Sequence, residues 1–186
     1  MKFTKAHFKN LIFLAMAALL IIPQTRLPIQ VFINKGLALF APATIDVAAQ
    51  KQLNAMDWVL LSNTGETLNF KATRGKVVFV NFWATWCPPC IAELPSMQKL
   101  YNDYKDTIEF VFISDEQQNV VNQFLAKNGY TIKVYAPTTP YPEVFNISSI
   151  PRTFLIDANG NVVIDKTGAA NWNSATVRET IDGFLK

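Results

Sequence analysis

The sequence predicts an α/β fold: a central mixed β-sheet flanked by helices, with an N-terminal β-hairpin addition. Three observations carry that prediction. VVFVNF, residues 77–82, is β-branched and aromatic without alternation, as a central strand covered on both faces must be. Downstream, short strand-like runs take turns with segments of helical apolar spacing, the pattern of helices packed on a sheet. Near the end, TFLID and NVVIDK flank Ala158-Asn159-Gly160, a hairpin signal that makes the last two strands antiparallel. At 186 residues and 50% hydrophobic content, the chain has enough material for one packed domain and an appendage.

The chain opens with a basic run, residues 1–9, followed by the unbroken apolar stretch Leu11 to Ile22. That is the layout of an export signal or of a membrane anchor. No small-x-small cleavage site follows Ile22 directly, and apolar character resumes at LPIQVFI, 27–33. Residues 10–33 are therefore expected to be a membrane helix retained in the inner membrane, with the lysines inside and the domain facing the periplasm. A cleaved signal with a soluble periplasmic product is the alternative. An ordinary core helix fits poorly, because the run lacks polar residues. Residues 34–56 read as a tether, and 57–186 as the folded domain.

Within that domain, two runs at about 58–61 and 67–70 flank Asn63-Thr64-Gly65-Glu66 and form the expected hairpin. Ile91, Leu94, Leu100, Tyr101 and Tyr104 recur at helical spacing, so 88 to about 105 is a long helix that Pro95 should bend or interrupt. A strand follows at 108–114, then a helix from 115 or 116 to about 127 with Gly129 beyond its end. A strand at 131–135, a helical turn at 142–146, the hairpin and a C-terminal amphipathic helix complete the order β-β-β-α-β-α-β-β-β-α. Helices are expected on both faces of the sheet.

The first 43 residues hold five of the 17 basic side chains and no acid. The remainder carries 12 basic and 14 acidic residues, a net of −2 with no basic stripe, which excludes nucleic acid as the natural partner.

Chemistry concentrates in FVNFWATWCPPC, residues 79–90, which holds both cysteines of the chain. A C-x-x-C pair where a buried strand enters a helix puts Cys87 at the helix N-terminus, where free N–H groups and the helix dipole favour a thiolate. Cys90 lies one turn on, within reach of a mixed disulfide on Cys87, so the pair can attack and resolve in sequence. Pro88 and Pro89 remove two donors and stiffen the turn. A zinc site lacks ligands, since the only other candidate is His7 in the export segment, and no metal or cofactor is expected. An inert structural disulfide is the plainer alternative in an exported protein, but one closing so short a loop restrains little of the unfolded chain. Glu93 lies three residues after Cys90; it is either a surface glutamate or a buried acid passing protons to the resolving thiol. Pro151 is either a strand-edge proline or a cis proline beside the thiols.

VVFVNFWATWCPPCIAELPSM, FVFISDE and IPRTFLIDANGNVV together resemble the thioredoxin superfamily, in its exported or membrane-anchored TlpA/ResA-like branch, over roughly 57–186. The resemblance implies a thioredoxin-like fold and thiol–disulfide exchange on protein disulfides outside the cytoplasm, in the reducing direction. It implies Cys87 as the exposed nucleophile, Cys90 as the buried resolving thiol and Glu93 as the acid that tunes them. It makes Pro151 the cis-proline, with the Ile150 backbone offered to an incoming polypeptide and Trp86, Pro88 and Pro89 on the docking surface. Asn81 stands where cytoplasmic thioredoxins carry a buried aspartate. Arg152 replaces a small polar residue, which would favour an acidic partner, steady the Cys87 thiolate or face solvent. Implied partners are exported proteins with cysteines or disulfides, including apocytochromes in cytochrome c biogenesis, and a membrane thiol protein as electron donor; a monomer is expected. The competing functions are a periplasmic dithiol oxidant, a peroxiredoxin-like peroxidase and a non-catalytic tethered binding module. The peroxidase pattern is poorly met, with Ala84 and Val80 where its threonine and proline would stand.

Overall fold

A computed structural model describes residues 8–14, 19, 22–53, 57–145 and 147–186. Helix α1 (Pro23–Leu37) precedes strands β1 (Val59–Ser62), β2 (Thr67–Asn69) and β3 (Val78–Phe82). Helix α2 (Pro88–Tyr104), β4 (Glu109–Ile113), α3 (Gln118–Asn128) and β5 (Val134–Pro137) follow. The chain ends with β6 (Arg152–Ile156), β7 (Val162–Thr167) and α4 (Ala175–Phe184). The seven strands form one sheet in the order β2-β1-β5-β4-β3-β6-β7. The β3–β4 and β4–β5 pairs are parallel and the rest antiparallel. This is the expected mixed sheet of a thioredoxin-like α/β fold.

Every side chain of β3 is buried, as its non-alternating sequence requires. Phe79 faces one core with Phe110, Phe112, Leu94, Leu100 and Trp172. Val78, Val80 and Phe82 face the other, with Trp58, Phe70, Phe145 and Phe154. The layers differ from expectation. Helices α2, α3 and α4 all contribute to the Phe79 core, through Leu94, Val121 and Val177 among others. The opposite core is closed by Trp58, just before β1, and by Phe70, Phe145 and Ile147 from the segments between strands. Handedness explains this: β3, β4 and β5 succeed one another in one direction across the sheet, and right-handed crossovers then put both connecting helices on the same face.

Helix α2 runs unbroken through Pro95, so of the expected bend or interruption the interruption does not occur. Pro95 is exposed, so the Ile91 carbonyl that loses its partner has access to water. Strand β5 starts at Val134 rather than 131, because Gln98 of α2 takes hold of Thr131 through its backbone N–H and its hydroxyl.

The expected inner-membrane anchor is overturned. Among the described residues, no helix is long and apolar enough to cross a membrane. Residues 8–14 are helical, while 15–18, 20 and 21 of the anticipated span lie outside the described residues. The helix that follows, α1, has 15 residues including Arg26, Pro28 and Lys35. At 1.5 Å per residue it reaches about 22 Å, short of the roughly 30 Å of a hydrocarbon core, and it lies against α2. Beyond it, the backbone of 45–53 docks on the second hairpin: Ile45 N–H donates to Val163 O at 2.8 Å and Leu53 N–H to Gly160 O at 2.7 Å.

Candidate active site

β3 delivers the chain to the site. Past Phe82, Trp83 N–H still bonds Ile113 O at 3.0 Å, and Trp83 and Ala84 are buried. Cys87 is the N-cap of α2, in extended conformation. Cys87 and Cys90 are joined as a disulfide with Cα atoms 5.2 Å apart. Pro88 and Pro89 have no N–H, so the first helical amide able to reach the cap is that of Cys90, which donates to Cys87 Sγ at 3.3 Å. A thiolate on Cys87 would inherit that bond and the positive end of the helix dipole. Cys87 was expected to be exposed, yet it is 2% exposed and Cys90 is fully buried. The exposed group beside it is Trp86, at 64%.

Glu93 is fully buried one turn beyond Cys90. Its Oε2 accepts from Trp172 Nε1–H at 2.9 Å and from Ala170 N–H at 3.2 Å. Its Oε1 accepts from Asn81 Nδ2–H at 3.2 Å, and the same Nδ2 donates to Thr153 Oγ1 at 2.8 Å. Loss of hydration raises Glu93 to about 8, and the three donors and the more distant Lys166 charge only partly oppose it. A carboxyl raised this far takes up and releases its proton near neutral pH rather than in the ordinary carboxylate range.

A second carboxylate braces the loop from the side. Glu116 accepts from Thr85 N–H at 2.6 Å and from Thr85 Oγ1–H at 2.7 Å, fixing the residue two before Cys87. This explains why α3 begins at Gln118 rather than at 115 or 116: the start of the expected helix is held as a brace. Next to it a groove of about 330 Å³ is lined by Trp86, Ile113, Tyr141, Phe145 and Ile150 among others.

The Ile150–Pro151 peptide is cis. Arg152 turns away from the thiols: Nε and Nη2 grip Asp165 at 2.5 and 2.7 Å, and Nη1 donates to Thr167 Oγ1 at 2.8 Å. Its guanidinium lies 5.3 Å from the Phe154 ring centre. The structure thus gathers Cys87, Cys90 and Glu93 on one helix end, with Trp86 and Ile150 on the adjoining groove and Arg152 in a pairing of its own. Sequence reasoning missed Glu116, Thr153 and Trp172. Glu116 had a usable signal, an acid just past the C-terminal end of a central parallel strand, where α/β proteins build sites. Trp172 and Thr153 had none. No group of acids, histidines and cysteines suited to a metal occurs among the described residues, and His7 lies outside them.

Residues 43–181 match the Redoxin family. The chain belongs to that family. Among curated relatives it is 33% identical to the thiol-disulfide oxidoreductase ResA of Halalkalibacterium halodurans over 117 residues, 61% of this chain and 66% of that one. It is 32% identical to ResA of Bacillus thuringiensis over 137 residues, 71% of this chain and 75% of that one. Among solved structures, a thiol:disulfide interchange protein of the thioredoxin family from Chlorobium tepidum superposes with a TM-score of 0.55 at 26% identity, covering 80% of this chain and 99% of that one. Within the Redoxin family the chain falls with the exported ResA-like and DsbE-like proteins, and its paired cysteines on the shared fold make it a thiol–disulfide oxidoreductase.

Proposed function

We propose that the chain reduces disulfides of exported proteins, with Cys87 as nucleophile, Cys90 as resolving thiol and Glu93 as proton relay. The carrying observation is a buried carboxyl, raised to about 8, on the same helix end as the cysteine pair. In the first step the Cys87 thiolate attacks one sulfur of the substrate disulfide; a Cys87–substrate disulfide forms and the other substrate sulfur leaves as a thiolate. In the second, Cys90 gives its proton to the carboxylate of Glu93 and attacks Cys87 Sγ. The Cys87–Cys90 disulfide forms, the second substrate thiolate leaves, and two electrons have passed to the substrate. Each departing thiolate takes a proton from water or, in the last step, from Glu93.

The docking surface comprises Trp86, Pro88, Pro89, Ile150 and Pro151, around the apolar groove beside the thiols. Arg152 stiffens the strand that follows Pro151 by its pairing with Asp165. Export is supported by the basic-then-apolar N-terminus. Proteins presenting two nearby cysteines, apocytochromes among them, are the substrate class, a membrane thiol protein supplies the electrons, and the enzyme works as a monomer. Residues 57–186 form its catalytic unit.

The deciding experiment is the equilibrium reduction potential of the Cys87–Cys90 pair in the full chain, with insulin-disulfide reduction alongside. A potential at or below roughly −250 mV with active reduction supports the proposal. A potential near roughly −120 mV makes the protein an oxidant, and reduction that survives Cys87→Ser removes the pair from catalysis altogether.

A further inference from the structure

The polar cluster beneath the disulfide contains one atom without a partner. Asn81 lies in β3 opposite Thr153 of β6, and both are buried. Its Nδ2 uses both hydrogens, one toward Glu93 Oε1 and one toward Thr153 Oγ1, whereas its Oδ1 has no hydrogen-bond partner among the described residues. This arrangement serves an ionised Glu93. Oε2 already receives two N–H bonds, so a proton arriving on Glu93 has to settle on Oε1. There it would point at the Asn81 amino group, donor against donor. Turning the amide over exchanges Oδ1 and Nδ2 while leaving the neighbouring atoms in place. Oδ1 then accepts from the Glu93 carboxylic acid and from the Thr153 hydroxyl, a group able to donate as well as accept.

We propose that Asn81 is a positioning residue that follows the Glu93 proton, facing the carboxylate with Nδ2 and the neutral acid with Oδ1, while Thr153 reverses the sense of its own hydrogen bond. Each arrangement leaves one end of the amide unpaired, which keeps the two close in free energy and lets the proton decide between them. Thr153 is two residues beyond Pro151, so the state of Glu93 is felt on the strand proposed to receive substrate. An aspartate in place of Asn81 would set a second buried carboxyl against Glu93 and force one of them to stay neutral. An amide supports both states without adding charge.

The charged and titratable groups around Glu93 are few. On α2 the cysteines do not titrate as a disulfide, and on β7 Lys166 acts through space to favour the carboxylate. Asn81, Thr153, Ala170 and Trp172, from β3, β6 and the segment before α4, carry no charge. The inference rests on the reading of Glu93 as proton relay, and it is tested in the resting disulfide form, without turnover: a flat Asn81 beside a titrating Glu93 fails the inference alone, and a Glu93 that does not titrate fails both.

The experiment follows the Asn81 side-chain amide and Glu93 Cδ by NMR in the labelled, oxidised full chain from about pH 5 to about pH 10. The expected result is one shared midpoint for both groups, with the Asn81 titration abolished in Glu93→Gln. Asn81 resonances that stay flat while Glu93 titrates overturn the proposal, as does a Glu93 that does not titrate in this range. Asn81→Ala supplies an independent reading should Glu93→Gln not fold. An amide that serves both states leaves the Glu93 midpoint within about half a pH unit when removed. A rise of about one unit or more means that Asn81 serves the carboxylate alone, and overturns the switch.

Discussion

Two glutamates sit by the cysteine pair, in opposite surroundings. Glu93 sits below the disulfide, fully buried, with three N–H donors that recover only part of its lost hydration. Glu116 sits beside it, partly accessible, and both its oxygens accept from Thr85, with a longer bond of 3.3 Å from Ser114 Oγ–H to Oε2. The first is the proposed store for a proton, and the second ties the loop to the end of β4. Residue type does not separate them; surroundings do: removal from water raises Glu93, whereas Glu116 is set by the hydrogen bonds it accepts from the loop.

The largest expected effects concern the pair that both glutamates serve. Cys87→Ser abolishes turnover with the fold retained, and Cys90→Ser accumulates covalent mixed disulfides with substrate. Measured by insulin reduction and by gel-shift under non-reducing conditions, a Cys90→Ser protein that traps no partner takes the resolving role from Cys90.

Next comes pH. The unfolded Glu93 releases its proton near 4.5 and the folded one near 8, so between those values the folded state binds the extra proton. Stability therefore falls as pH rises through that window, by an upper bound of about 5 kcal/mol at full titration. Urea unfolding of the oxidised protein at several pH values should show this fall, and Glu93→Gln should flatten it. If Glu116→Gln flattens it instead, the two roles have been assigned to the wrong glutamates.

The brace predicts a smaller and pH-independent effect. Glu116→Ala removes three hydrogen bonds, two from Thr85 and one from Ser114, from a half-buried site, at a cost of about 1–3 kcal/mol. It should slow insulin reduction several-fold while leaving the Glu93 titration in place; a shifted titration would merge the two functions.

The smallest effect belongs to Arg152. Its pair with Asp165 is about one-third exposed on each side. Arg152→Ala should therefore cost no more than about 1 kcal/mol, and it should leave the reactivity of Cys87 unchanged. A large change in the rate of Cys87 alkylation would bring the guanidinium back to the thiol.

Much of this was legible in the sequence, because the signals are local. The buried strand at 77–82, the C-x-x-C pair at a strand–helix junction and the Asn159-Gly160 turn each act through neighbours along the chain. The misreadings have a common cause. Pro95 allowed either a bend or a break, and the break does not occur, because exposure leaves the lost bond harmless. Residues 27–33 looked like the continuation of a membrane span, yet they belong to a mixed helix lying on α2. Helices assigned to two faces fall on one, since strand order is not written in any single segment.

The sequence by itself determined which atoms exchange electrons: two thiols three residues apart, one capping a helix. Only the tertiary structure decided which carboxyl is cut off from water beside them. Asn81, Glu93, Thr153 and Trp172 are spread over more than 90 positions of the chain, and they meet because β3 and β6 pair in one register and the segment after β7 returns over α2. Desolvation and hydrogen bonding are properties of that meeting, and a linear pattern does not contain them.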